Sequence, residues 1–334
     1  MQTSTNSRSA SIADEVTESL LRFDDDNNEE PVLLTDFPTV SDDGLVYTFE
    51  LKQGVHFTNG TELTSKDVKF TFERMFNPAT AAKSTAYFNM IKGAKDMLDG
   101  NATELAGFEI VDDYHFTITL DYAFAPFVKN LGTSYADIFP EDACTEAGEN
   151  WGLGTNLIGT GPYKIQENDD TTKVILVKNE DYHGGDVNLD ELQILFYDDD
   201  QTKLIAYENG DIDLADLNAS LLSQYKDKYA DEITAYYPLG TSFISMNLKD
   251  AYLSDVNVRK AISLAINREE LVDAVLNGAG IPATSYLNNG IPSVRTISLS
   301  ASSSLRFVLR VLSEMVFRYR FNSLNRTVLN SIRQ

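Results

Sequence analysis

The chain has 334 residues, 43% hydrophobic and 10% aromatic, which is enough for two or three packed domains and too apolar for a disordered chain. A formal charge of −24, with no Lys/Arg cluster before the C-terminal tail, excludes a nucleic-acid partner, because phosphates are met by clustered cations. The one cysteine, Cys144, excludes an internal disulfide and a multi-cysteine metal site, and no apolar run approaches the roughly 20 residues of a membrane span.

In residues 9–23, Ile12, Val16, Leu20 and Leu21 fall at helical spacing and predict a helix. Residues 24–30, DDDNNEE, resemble a calcium loop only superficially. Glu29 stands where the tight turn needs glycine and no Glu occupies the twelfth position, so the stretch reads as a solvated turn. Tyr47, Phe49 and Leu51 then alternate with Thr48, Glu50 and Lys52, the period of a half-buried strand ended by Gly54. Residues 55–57 and 61–63 flank Asn59-Gly60, whose positive backbone angles suit a tight hairpin turn. Thr64 caps a helix starting at Ser65, and Asp67 lies near the positive helix terminus. Val68, Phe72, Met75 and Phe76 form its single apolar stripe, and Pro78 stops it.

A helical region over 76–100 carries Tyr87, Phe88, Met90 and Ile91, and residues 107–120 read as two strands around Asp112-Asp113. Residues 156–165, NLIGTGPYKI, read as a hinge: Gly159 and Gly161 permit unusual backbone angles and Pro162 stiffens the exit. A phosphate-binding loop is rejected there, because the full glycine pattern and a following Lys-Ser/Thr pair are missing. Strands at 174–178 and 192–197 bracket a polar connection. A short helix at 200–209 with Leu204, Ile205 and Tyr207, followed by a strand at 210–217, predicts a crossover unit. Residues 237–247 form a second crossing segment, and 254–280 a helix pair broken at Asn267. Its buried faces are Val258, Ile262, Leu264, Ala265, Leu271, Val275 and Leu276, with Gly278 and Gly280 as the stop. After Pro292 the text changes. Residues 293–334 hold seven Arg, no Lys and one acid, a charge of +6, whereas the preceding 292 carry 20 basic and 50 acidic side chains, a charge of −30.

Chemistry finds little to work with. There is no Gly-x-Ser-x-Gly elbow, and His56, His115 and His183 have no short metal-ligand spacing, so each reads as structural and no metal site or catalytic residue is assigned. Fifty-one carboxylates guarantee that some pair could sit at glycosidase distance, so their number says nothing about acid-base catalysis. Cys144, beside Asp142 and Glu146, has its thiol pushed upward and makes a poor nucleophile, and Trp151 reads as packed against its own Gly-rich turn, with stacking on a ligand as the alternative.

The string GVHFTNGTELTSKDVKFTFER, residues 54–74, resembles the signature segment of the solute-binding proteins that serve peptide and nickel ABC transporters, the extracellular family 5 of oligopeptide- and dipeptide-binding type. The resemblance runs over residues 9–292. It implies a mixed α/β, periplasmic-binding-protein-like fold of two large lobes with a hinge and an inserted smaller lobe. Residues 1–21 and 162–240 form the first large lobe, 22–161 the insertion, and 241–292 the start of an incomplete second lobe. Residues 293–334 are then an out-of-frame tail, with an amphipathic basic helix on an anionic membrane, through Leu305, Leu309, Leu312, Val316 and Tyr319, as the alternative. The implied protein is a monomer without cofactor or catalysis. It sits in the periplasm or on a lipid anchor at the cell surface, binds a short peptide or similar solute between lobes, and delivers it to an ABC permease. Cleft positions carried over are Ser9, Ala10, Ser11, Ile12, Tyr87, Phe88, Asn218, Thr241, Ser242 and Phe243, each with core packing as its alternative. The acid that meets a peptide ammonium in such proteins falls outside the resemblance. No export signal precedes the helix, so the expectation is an internal start at Met1 with a signal and lipobox cysteine encoded upstream. Two rival readings stand beside this one, a secreted acid-base hydrolase and a non-functional fragment of a binding protein.

Overall fold

The computed structural model describes residues 2–3, 7–24, 27–169, 171–234 and 240–287. The basic tail, part of the acidic turn at 24–30 and the start of the predicted crossing segment at 237–247 lie outside them. The chain divides into two compact units, Met1–Tyr197 and Asp198–Gln334.

The first unit opens with α1 (Ser7–Val16), which ends well short of the predicted Phe23. The Thr17 hydroxyl bonds the Ala13 carbonyl (2.8 Å) that the Thr17 amide already uses (2.7 Å), a competition that favours leaving the helix. The chain then runs extended as β1 (Leu21–Phe23), antiparallel to β2 (Glu29–Pro31). Leu20 and Leu21 are therefore buried from the strand side and not along a helix face.

Four antiparallel strands follow in the order β3-β4-β6-β5, where β3 is Thr39–Val40, β4 Val46–Glu50, β5 Phe108–Ile110 and β6 His115–Thr119. The register places Phe49 opposite Phe116, and the Phe116 ring lies flat between Phe49 (4.8 Å between centroids) and Phe108 (5.0 Å). α2 (Ser65–Phe76) lays its stripe on this core, with Val68, Phe72, Met75 and Phe76 all fully buried. At its start the Asp67 carboxylate accepts the Thr64 amide (2.9 Å) and hydroxyl (3.0 Å). The hairpin before it is held by one bridge, His56 to Glu62, and only Gly60 is left-handed (φ +87°); Asn59 is not. The predicted helical region 76–100 resolves into single turns at 78–80 and 85–87 followed by α3 (Ala94–Leu98). Two further short helices, α4 (Phe127–Asn130) and α5 (Glu141–Ala147), close this part.

A second, smaller core belongs to the same unit. Here β7 (Tyr163–Asn168), β8 (Lys173–Lys178) and β9 (Glu191–Leu195) form an antiparallel sheet, with a bulge between Ile165 and Glu167. Val16 of α1 is buried against Tyr163, Val174 and Leu176, with Ile12 packed at the edge.

The second unit contains α6 (Asp200–Asn209), α7 (Ala219–Tyr225), α8 (Val256–Ala265) and α9 (Arg268–Val275). Asp199 caps α6 by accepting the Thr202 amide (2.8 Å), and Gly210 (φ +77°) ends it. The strand expected at 210–217 is not there, and neither is the crossover unit it would complete. The residues alternate apolar and acidic, but no strand lies beside them among the described residues, and Leu214 is 88% exposed. Alternation without a partner leaves backbone groups to water and makes no strand. The helix pair forms as expected, with Asn267 capping α9 through the Glu270 amide (3.2 Å). Its faces are not buried as expected: among the described residues only Ala261 is fully enclosed, while Ala265, Leu271, Val275 and Leu276 are exposed. No helix of the described residues is long and apolar enough to cross a membrane.

Candidate functional site

In the first unit α1 lies along β7 and beside the turn Ser134–Ala136. Ser9, Ala10 and Ile12 on α1 are half-buried and Ser11 is exposed. Tyr135 of the neighbouring turn stacks on Tyr87, with centroids 4.9 Å apart and planes 28° from parallel. Tyr87 keeps 44% of its surface exposed, and its carbonyl is held by the Asn130 side-chain amide at 2.6 Å. The Phe23 ring covers Gly132, where a Cβ would stand 3.1 Å from it. Sequence positions far apart thus meet as one stacked pair, with Tyr135 carried by the turn beside α1, and Tyr135 is the member that sequence reasoning missed.

Phe88 stands differently. It is fully buried with its ring edge-on to Phe72 (5.4 Å), so of this adjacent pair only Tyr87 can be reached from solvent. The remaining candidates belong to the second unit. Asn218 caps α7, its side-chain oxygen accepting the Leu221 amide (3.0 Å) and its side-chain amide bonding Asp200. Thr241 is half-buried, Ser242 is exposed, and the exposed Phe243 ring tilts against Tyr286 at 5.0 Å.

The expected hinge has a different physical basis from the one its glycines suggest. Neither Gly159 nor Gly161 adopts a positive φ. Each is small because backbone passes against it: a Cβ on Gly159 would lie 2.2 Å from the Val16 carbonyl oxygen, and one on Gly161 would lie 2.7 Å from that of Glu15. Pro162 gives its carbonyl to the Asn179 amide (2.8 Å).

Two buried polar groups lie behind α1. The Asp137 carboxyl is enclosed, and burial pushes it up to about 7. The Thr17 hydroxyl is 2.7 Å from it and also serves the Ala13 carbonyl; a protonated Asp137 relieves that double demand by donating to Thr17 itself. Glu18 meets Thr160, Tyr182 and His183, a cluster of sequence-distant residues with no local signal. Burial, with Glu18 beside it, pushes the Tyr182 hydroxyl well above its ordinary value.

The other residues weighed for chemistry have packing partners. His56 bonds the Gly54 carbonyl (2.9 Å) and His115 the Asp112 carboxylate (2.8 Å). Cys144 is buried, and burial pushes its thiol up, with Arg74 opposing. Trp151 lies edge-on to Phe139 at 5.5 Å. Among the described residues no three His, Cys, Asp or Glu side chains converge as a metal site would need.

Comparison with known proteins gives the family and the fold. The family described as bacterial extracellular solute-binding proteins, family 5 Middle, matches residues 28–302, ten residues beyond Pro292, where the resemblance read from the sequence stopped. The periplasmic oligopeptide-binding protein OppA of Salmonella typhimurium is 27% identical over 248 residues, 72% of this chain and 46% of that protein. Heme-binding protein A of Haemophilus influenzae is 30% identical over 260 residues, 74% of this chain and 47% of that protein. A crystal structure of a periplasmic oligopeptide-binding protein from Borrelia burgdorferi superposes with a TM-score of 0.80 at 27% identity, covering 94% of this chain and 63% of that one. The chain spans about half the length of the curated relatives it matches. The mixed α/β architecture is that of the periplasmic binding proteins, and the chain belongs to the bacterial extracellular solute-binding proteins of family 5.

Proposed function

We propose that this protein captures a short peptide or similar solute outside the cytoplasm and hands it to the permease of an ABC importer, acting as a monomer and without turning the solute over. The observation that carries this reading is the Tyr87–Tyr135 pair beside α1 in a chain of this family: stacked, fixed from behind by Asn130, and open on one side. Rigid aromatic faces supply apolar contact at low entropic cost, which suits peptides of varied side chains. The names of relatives that bind oligopeptides support the solute class, while the heme-binding relative widens it. Ser9, Ala10, Ser11, Ile12 and Tyr87 are the proposed contacts of the first unit, and Asn218, Thr241, Ser242 and Phe243 those of the second. The smaller core, which joins Ile12 and Val16 of α1 to β7 and β8, supports the proposed division of 1–21 with 162–240 from an insertion at 22–161, although Leu20 and Leu21 pack in the larger core and so stand with the insertion.

The test is a titration of the purified protein with peptide mixtures, nickel chelates, heme and oligosaccharides, followed by calorimetry and scattering radius. Saturable binding of one class without product formation is expected. Absence of binding across all classes, or accumulation of a hydrolysis product, refutes the proposal.

A further inference from the structure

The crossing from the larger core of the first unit into β7 is bonded on every side. The Gly159 carbonyl accepts the Thr58 amide (2.8 Å), and the Gly161 amide donates to the Val16 carbonyl (2.9 Å). The Gly161 carbonyl accepts the Asn179 side-chain amide (2.9 Å) and the Pro162 carbonyl accepts the Asn179 main-chain amide (2.8 Å). One carboxylate then ties the flanking pieces together. Glu18 follows α1, and its Oε1 accepts the Tyr182 hydroxyl (2.9 Å). Its Oε2 accepts the Thr160 hydroxyl (2.8 Å) and lies 2.7 Å from His183 Nε2. The Glu18 and His183 side chains keep only 10% and 11% of their surface exposed, and Thr160 keeps none. The Glu18 carbonyl meanwhile accepts the Ile138 amide (2.9 Å).

A pivot is a stretch whose dihedrals can change without breaking much, and pivots come from weakly bonded segments. Rotation within 159–162 would break the four hydrogen bonds its main-chain groups make and pull the Thr160 hydroxyl away from a nearly enclosed carboxylate, and enclosed acceptors are costly to strip of their partners. The two glycines add a steric lock, because the backbone of α1 occupies the space a side chain would need.

We propose that Glu18 is a positioning residue that welds the end of α1, the 159–162 crossing and the Tyr182-His183 loop into one body, so that the chain does not pivot at Gly159, Gly161 and Pro162. This replaces the hinge that the glycines and proline suggest from sequence. A consequence, which rests on the solute-binding reading above, is that α1 is presented in fixed register with the Tyr87–Tyr135 surface.

The test is residue-resolved amide hydrogen exchange on the full chain without any solute, so it succeeds or fails independently of whether the protein binds one. In the unsubstituted protein the Thr58, Gly161 and Asn179 amides are expected to exchange as slowly as those of Phe49 and Leu176 within the sheets; loop-like exchange at these three overturns the proposal. In Glu18→Ala these amides are expected to exchange at least about tenfold faster while the sheet amides keep their rates, and Glu18→Gln, which retains one acceptor oxygen, is expected to recover part of the protection. Unchanged junction amides in Glu18→Ala overturn the proposal, and so does an equal acceleration in junction and sheets, which would make Glu18 a contributor to general stability only. If Glu18→Ala does not fold, Thr160→Val and Tyr182→Phe each remove one donor, and the same local pattern is expected; its absence in both overturns the proposal.

Discussion

Replacing Gly159 by alanine adds one methyl group at the most crowded glycine of the crossing. The new Cβ would stand 2.2 Å from the Val16 carbonyl oxygen, 2.7 Å from Thr17 Cα and 2.8 Å from Thr17 Cγ2. Ordinary carbon contacts lie near 3.5 Å, so backbone must separate by about 1 Å. Overpacking of this kind costs about 1–3 kcal/mol, and displacement of the Val16 carbonyl weakens its bond from Gly161 by roughly another 1 kcal/mol. Because Gly159 has no positive φ, alanine also stiffens the unfolded chain and returns about 0.4–1 kcal/mol. The net expectation is a loss of about 2–3 kcal/mol. Trp151 is the only tryptophan and packs on Phe139 in the same unit, so its fluorescence in urea reports this unit alone. With a slope of roughly 2–3 kcal/mol per molar urea, the midpoint should fall by about 1 M. Gly161→Ala, with its nearest clash at 2.7 Å, should fall less. A Gly159→Ala protein as stable as the original, or more stable, would refute the close-approach argument and return these glycines to a role in flexibility.

Three further outcomes are expected. Asp137, raised by burial to about 7 from an unfolded value near 3.8, contributes stability that is present below the unfolded value and lost as pH rises through 7; the unfolding free energy of the original, read from urea titrations, should therefore drop relative to Asp137→Asn between pH 5 and pH 8, by roughly 2–3 kcal/mol, and parallel profiles would contradict this. Asp67→Ala removes the acceptor of the Thr64 amide and hydroxyl and of the Glu141 amide (3.1 Å), and thermal melts should show a loss of about 1–2 kcal/mol, with no change in the β-sheet signal of the folded state. Tyr135→Ala should weaken the binding of whichever solute the titration identifies by about 2- to 10-fold in calorimetry while costing little stability, since a stacked pair is worth about 0.5–1.5 kcal/mol; equal affinity would remove the aromatic surface from the site.

How much of this was legible in the sequence follows from how local each signal is. The α2 cap at Thr64 and Asp67 and the stripe of Val68, Phe72 and Met75 span one helix, so spacing alone locates them, and the Phe49 and Tyr47 alternation does the same for β4. Asn267 announces the break between α8 and α9 for the same reason. Residues 210–217 carry an equally good alternation, but a strand needs a neighbour, and no residue in the run says whether one is present. Tyr87 and Phe88 are adjacent and chemically alike, and only the surrounding packing decides which one turns inward. Glycine is ambiguous in another way, since the letter is the same whether the backbone needs an unusual angle, as at Gly60, or a close neighbour, as at Gly159. Glu18 was invisible because its partners lie between 142 and 165 positions away.

That separation also dictates an order of events as the chain leaves the ribosome. α1 is made before the elements that cover it: its apolar side, with Val16 and Ile12, has no covering until β7, β8 and β9 exist, and the Glu18 carboxylate lacks its protein donors until Thr160, Tyr182 and His183 emerge. The sheet that includes β4 and β6, together with α2, is complete in the nascent chain long before then and can condense by itself, since its contacts close shorter loops. The apolar side of this helix must then wait uncovered at roughly 5–20 residues per second of synthesis, several seconds at least. A chaperone that recognises unfolded apolar stretches has that interval in which to hold the chain, and synonymous codons that slow translation between positions 20 and 195 would lengthen it.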